Sequence, residues 1–173
     1  NYTNILGNPD APNVLVEYAS LSCVHCANFH NKKLPTIKKE LIDSGELKYI
    51  YRDFPLDLPA MLASMVTHCY TEKRYFAVLE SLYRNQKKWV TSSDTKEKLF
   101  DAFHFVLKEY GVTLEKVIAC TADTEDNKKK WENILSSRLE GQKLGVNSTP
   151  TFFLNGKKLD GNIDINSIKK LIY

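Results

Sequence analysis

Two cysteines three residues apart, Cys23 and Cys26, stand where a short apolar run gives way to a stretch with helical spacing. The run, Val14 to Ala19, is bounded by Pro12 and Ser20 and reads as a mostly buried strand. Beyond Cys26, the apolar residues Phe29, Leu34, Ile37 and Leu41 recur with the period of a helix, Lys38, Lys39 and Glu40 lie between them, and Ser44-Gly45 is the stop signal. Pro35 is expected to kink this helix, because a proline in a helix interior removes a hydrogen bond and crowds the preceding turn. Leu47 to Phe54 supplies a second strand, closed by Pro55 and Pro59. Strand, helix, strand is the unit of a parallel sheet, so the cysteine pair falls at a strand-to-helix turn.

From Pro59 to Leu144 no strand pattern interrupts a succession of amphipathic segments, at about 60–71, 73–87, 95–109, 114–121 and 125–144. Asp94 and Glu97 read as a capping-box variant, and Thr113 precedes the helix opened by Glu115 and Lys116. After Gly145, Thr151 to Leu154 and Lys157 to Leu159 flank Asn155-Gly156, a strong signal for a two-residue hairpin. Asp164 to Ile172 makes a closing helix. The expected fold class is α/β, with residues 1–57 and 146–173 forming one discontinuous domain and residues 58–145 a helical insertion that packs over it as a lid.

With 173 residues, 43% of them hydrophobic, the chain can bury a sizeable core. No apolar run approaches the roughly 18 residues of a membrane span. Asn1 to Asp10 has neither the basic end nor the apolar stretch of a signal peptide, so the expectation is a cytosolic chain or one whose signal has been removed. The net charge of +3 is small, and the only basic triplet, Lys128-Lys129-Lys130, reads as a solvated helix face. Nucleic-acid binding is therefore not expected.

Four cysteines permit three full pairings. The close pair is too tight for most structural bridges, whereas Cys69 and Cys120 are free to join two separate elements, and the split points to one reactive and one structural disulfide. A thiolate at Cys23 would meet the unpaired N–H groups and the positive end of the helix dipole. Cys26, one turn on, is shielded and can attack back. His25 offers a further N–H donor beside the sulfur. Together these should pull the Cys23 pKa well below the free value of about 8.5 and make its disulfide oxidising. A zinc half-site is the rival reading. It would need two more ligands from His30, His68, His104, Cys69 or Cys120, none of which forms a second close pair, so neither metal nor cofactor is expected.

With Glu17 six residues before Cys23, a C-x-H-C motif, a helical block of matching size, and Thr149-Pro150 opening a strand, the chain resembles the DsbA family of bacterial thiol:disulfide oxidoreductases over its whole length. The resemblance implies a thioredoxin fold with a helical insertion. It implies that Cys23 is the exposed nucleophile and Cys26 the resolving cysteine, with Pro150 cis and Val24, Thr149 and Pro150 shaping a groove for substrate peptides. Glu17 would be buried beneath the motif, its pKa raised by desolvation, relaying protons to or from Cys26. Cys69 and Cys120 look like the second, structural disulfide of the family's alpha-proteobacterial branch. The implied activity is a protein-disulfide oxidase, acting as a monomer in the periplasm on reduced secreted proteins and reoxidised by a DsbB-like, quinone-linked membrane protein. An isomerase or reductase of the same fold, or a peptide-binding chaperone module without turnover, are the alternatives. Val24 replaces the proline of C-P-H-C and Thr149 stands where many members carry valine, positions that tune thiolate stability. The sequons Asn1-Tyr2-Thr3 and Asn147-Ser148-Thr149 are read as chance, the second because a glycan there would lie against the motif.

Overall fold

A computed structural model describes residues 4–173; the first sequon and the opening Asn1 to Thr3 lie outside the described residues. The first strand of the sequence reading is β2 (Asn13–Ala19) and the second is β3 (Leu47–Asp53). They pair in parallel from Asn13 against Leu47 to Ala19 against Asp53. A short strand that the sequence did not signal, β1 (Ile5–Leu6), pairs antiparallel with β3. Two residues carry too little periodicity to be read. The hairpin strands are β4 (Thr151–Leu154) and β5 (Lys157–Lys158), and β4 lies antiparallel to β2, which completes the order β1-β3-β2-β4-β5. Asn155 and Gly156 have φ of 50° and 83°, the left-handed pair that a tight hairpin turn demands.

The helix after the cysteines is not a kinked α-helix. It runs as α1 (Val24–Asn28), a wide π turn at Phe29–Lys33, α2 (Leu34–Ile37) and a second π turn at Lys38–Ile42. The Leu34 N–H bonds the Phe29 carbonyl, five residues back, so the residue inserted ahead of Pro35 absorbs what would otherwise have been a bend.

The central block holds α3 (Leu58–Thr67), α4 (Glu72–Arg84), α5 (Gln86–Val90), α6 (Lys96–Leu107), α7 (Leu114–Thr121) and α8 (Glu125–Lys143). The cap of α6 is Thr95, whose hydroxyl accepts from the Lys98 N–H; Asp94 instead pairs with the Lys98 ammonium at 2.8 Å. The capping-box expectation was off by one residue, because the helix starts after Thr95, itself a residue type that caps helices. The chain ends in α9 (Ile165–Ile172), capped by Asp164. Apolar packing runs unbroken from Leu15, Leu47 and Tyr49 of the sheet into Leu79 of α4 and Phe103 of α6. The thioredoxin-type mixed sheet thus shares one core with the helices laid against it. On α8, Gly141 lets the helix backbone approach the rings of Tyr18 and Phe54 closely.

Lys130 corrects the reading of the basic triplet. Its ammonium turns inward, 3.2 Å from the Cys120 carbonyl oxygen and 3.2 Å from Cys69 Sγ. A charge pattern alone does not distinguish it from its solvated neighbours.

Candidate active site

Cys23 is the cap residue of α1, in extended conformation, and the Cys26 N–H donates to its sulfur at 3.2 Å. The turn is anchored from behind by Gln86 of α5, whose amide donates to the Leu21 carbonyl at 2.7 Å and to the Cys23 carbonyl at 2.9 Å. Nothing in the sequence marked Gln86, because its partners are backbone atoms more than sixty residues away. Opposite the turn, the Thr149–Pro150 peptide is cis and the Thr149 carbonyl oxygen lies 3.6 Å from Cys23 Sγ. The expectation of an exposed Cys23 needs correction: only 8% of the residue is exposed, against 70% of Val24 beside it. The cis-proline loop lies against its sulfur, and the neighbouring Val24 is the exposed residue of the motif's tip.

A hydrogen bond from the Cys26 thiol is the strongest influence on Cys23 and favours its thiolate; burial opposes it. The Thr149 side chain and the N–H groups of Cys26 and His25 add to the first effect, and the Cys23 pKa is lowered to about 6. His25 thus contributes a backbone N–H, while its ring is exposed and lines a small cleft with Phe29, Thr149, Pro150 and Ile163. Cys26 is fully buried. Burial first, then the Cys23 hydrogen bond and the Glu17 charge, push its pKa far up. The two thiols, three residues apart, are therefore opposites, one held ionised near neutral pH and one held protonated.

Glu17 on β2 is fully buried, and the hydrogen bonds of its carboxylate go to residues that the sequence reading left without a role here. Tyr49 of β3 donates to Oε1 at 2.5 Å, and His30 Nε2 lies 2.7 Å from the same atom. The other His30 nitrogen, Nδ1, is 2.8 Å from Glu80 Oε1 on α4. The sequence reading names His30 only as a possible metal ligand, and no local signal marks its role, because its partners Glu17 and Glu80 lie on other elements. Burial alone would push the imidazole down, but the carboxylates of Glu17 and Glu80 outweigh it and raise the His30 pKa to about 10.

Cys69 and Cys120, on α3's C-terminal turn and α7, form a disulfide. Among the described residues, no group of three or more His, Cys, Asp or Glu side chains is placed to hold a metal ion, and no helix is long and apolar enough to cross a membrane. Asn147 of the second sequon is exposed, and Thr149 of the same sequon belongs to the wall facing Cys23.

The sequence model described as Thioredoxin matches residues 1–173. A Rickettsia bellii protein carrying the name protein-disulfide oxidoreductase is 31% identical over 97% of this chain and 62% of its own, so the chain spans about three fifths of that relative's length. A Bacillus cereus protein named as a disulfide bond formation protein D is 30% identical over 96% of this chain and 76% of its own. The crystal structure of Wolbachia pipientis alpha-DsbA1 superposes with a TM-score of 0.83 at 29% identity, covering 98% of this chain and 88% of that one.

Proposed function

The chain belongs to the thioredoxin family, among its DsbA-like disulfide oxidoreductases, and from that premise we propose that it introduces disulfide bonds into secreted proteins by exchange at Cys23 and Cys26. The observation that carries this reading is the asymmetry of the pair. Cys23 sits at a helix start with its pKa lowered to about 6, and Cys26 is buried and held protonated. A substrate thiolate attacks Cys23 Sγ of the oxidised pair, forming a mixed disulfide and releasing Cys26. A second substrate thiolate then displaces Cys23, a good leaving group because its thiolate is stabilised. Val24, Thr149 and Pro150 would hold the substrate peptide, with the Thr149 backbone beside the sulfur, just ahead of β4, as its hydrogen-bonding edge. The helical block 58–145 acts as the insertion, and its Gln86 supports the cysteine turn from behind.

In this reading the protein works as a monomer in the periplasm, on reduced secreted chains, and a DsbB-like quinone-linked membrane protein restores the disulfide. One observation favours a reductase or isomerase instead. A Cys23 pKa of about 6 lies closer to thioredoxin's value of about 7 than to the value of about 3.5 of the family's strongest oxidants. The test is to mix the oxidised protein with an equal amount of a reduced two-cysteine peptide and follow peptide thiols by alkylation and mass spectrometry. Transfer of the disulfide to the peptide is expected. A peptide that stays reduced, or a protein that acts only in the presence of a reductant, contradicts the oxidase.

A further inference from the structure

Oxidising a substrate leaves a proton to be placed. When the substrate sulfur bonds to Cys23 Sγ and the Cys23–Cys26 bond breaks, the electron pair goes to Cys26 Sγ. The products are a mixed disulfide and a Cys26 thiolate that must take up one proton. Cys26 is fully buried, so bulk water does not supply that proton directly.

Among the described residues, a chain of ionisable side chains leads from this region toward solvent, starting at Glu17, whose charge bears on Cys26. Its Oε1 meets His30 Nε2 at 2.7 Å, and His30 Nδ1 meets Glu80 Oε1 at 2.8 Å. His30 is wholly buried, whereas the Glu80 side chain is 26% exposed. It opens into an apolar groove of about 910 Å³ between β1, the first helix and α4, with Leu6, Leu34 and Phe76 among its walls. Glu17 Oε2 is buried and has no hydrogen-bond partner among the described residues, an atom available for a proton in transit. The rest of the His30 surroundings excludes water. Tyr83 of α4 stacks on the ring at 4.1 Å between centroids, Tyr49 and Tyr51 of β3 meet it edge-on, and Phe29 of its own helix closes another side. All three tyrosines have pKa values pushed well up, burial being the main cause, so near neutral pH only the two carboxylates exchange protons with the imidazole.

We propose that Glu80, His30 and Glu17 form a proton wire from the groove to the Cys26 sulfur, so that Glu80 and His30 are positioning residues for the Cys26 half of the exchange. The wire rests on the disulfide-exchange reading of the pair. Glu17 passes a proton to the Cys26 thiolate as it leaves, His30 replaces it from Nε2–H, and Glu80 resupplies Nδ1 from solvent. In the reverse direction, when Cys26 attacks a mixed disulfide at Cys23, the same path carries its proton out.

The reduced protein mixed with a chromogenic aromatic disulfide reports both halves in one stopped-flow trace. The first release of aromatic thiol reads Cys23, and the second reads attack by Cys26 on the mixed disulfide. Glu80→Gln is expected to lower the ratio of the second rate to the first near neutral pH on the order of tenfold. That is less than the roughly 10²–10⁴ contributed by a group that transfers the proton itself, since Glu80 acts through two others. Glu80→Asp should restore part of the ratio, and the second phase of the unmodified protein should slow in heavy water more than the first does. An unchanged ratio in Glu80→Gln, with the same heavy-water response, overturns the wire and leaves disulfide exchange standing. A protein that shows no second phase at all overturns the exchange reading, and the wire with it.

Discussion

Raising the pH from about 7.5 to about 9 should destabilise the oxidised protein chiefly through one side chain, His30. In the fold its pKa is raised from 6.5 to about 10, because Glu17 and Glu80 outweigh the burial that would lower it. A group whose folded pKa lies above its unfolded one stabilises the fold fully below the unfolded value, and that stability is lost as the pH rises through the folded value. At about 1.4 kcal/mol per unit, the shift amounts to about 5 kcal/mol in all, of which about 2 kcal/mol should vanish between about pH 7.5 and about pH 9. Working with the oxidised form removes the Cys23 and Cys26 titrations from this window. The tyrosines around His30 titrate higher still, with pKa values raised by burial. Urea unfolding followed by far-ultraviolet circular dichroism across the window gives the slope directly. His30→Gln should flatten it, and should cost stability at neutral pH by leaving two carboxylates facing a neutral side chain in the core, on the order of 3–5 kcal/mol. A wild-type protein with pH-independent stability over this range, or a His30→Gln variant that keeps the slope, would refute the assignment of a charged imidazole between Glu17 and Glu80.

Other perturbations probe the scaffold and the chemistry separately. Cys26→Ala removes the hydrogen bond that contributes most to the low Cys23 pKa, so the thiolate absorbance of Cys23 should titrate above about 6, and mixed disulfides with substrate should accumulate because nothing resolves them; an unmoved titration, or no trapped adduct, contradicts the division of labour. Replacing Cys69 and Cys120 together by alanine opens a loop spanning 51 residues, for which the chain-entropy model gives a loss of up to about 4 kcal/mol. Thermal unfolding measures it, and an unchanged midpoint would show that the bridge adds nothing. Gly141→Ala sets about 1 kcal/mol of improved helix propensity against about 1–3 kcal/mol of overpacking. The new methyl would meet Tyr18 Cδ1 at 2.9 Å and Phe54 Cδ2 at 3.1 Å. These are ring atoms in a packed core, so the expected net effect is destabilisation, read as a lower urea midpoint.

Most of the sheet and the helical block was legible because both periods are strong in this sequence. Strands β2, β3 and β4 and the turn at Asn155-Gly156 lie where apolar runs and turn residues put them. The cysteine motif was legible because close spacing and residue type carry its chemistry locally, whereas Thr149 and Pro150 were picked out only through the resemblance to the DsbA family. What escaped notice depends on contacts remote in sequence. Gln86 holds the turn through backbone carbonyls 63 and 65 residues away, and Lys130 tucks its ammonium against Cys69, neither of which leaves a local pattern. Glu17 was singled out, but its hydrogen bonds run to His30 and Tyr49. That linkage arises only when β2, β3, the first helix and α4 converge. The wide turn before Pro35 was read as a kink because a proline signals a missing hydrogen bond without saying how the backbone will absorb the loss.

The central claim, that Cys23 and Cys26 form a disulfide donor, is tested most directly by the redox equilibrium of the purified protein with glutathione, with the state of all four cysteines read by mass spectrometry. A Cys23–Cys26 couple at or above about −180 mV is expected, as oxidising as protein disulfide isomerase or more so, toward the roughly −120 mV of the DsbA oxidases, with Cys69–Cys120 intact throughout. A potential near that of thioredoxin, about −270 mV, would contradict it.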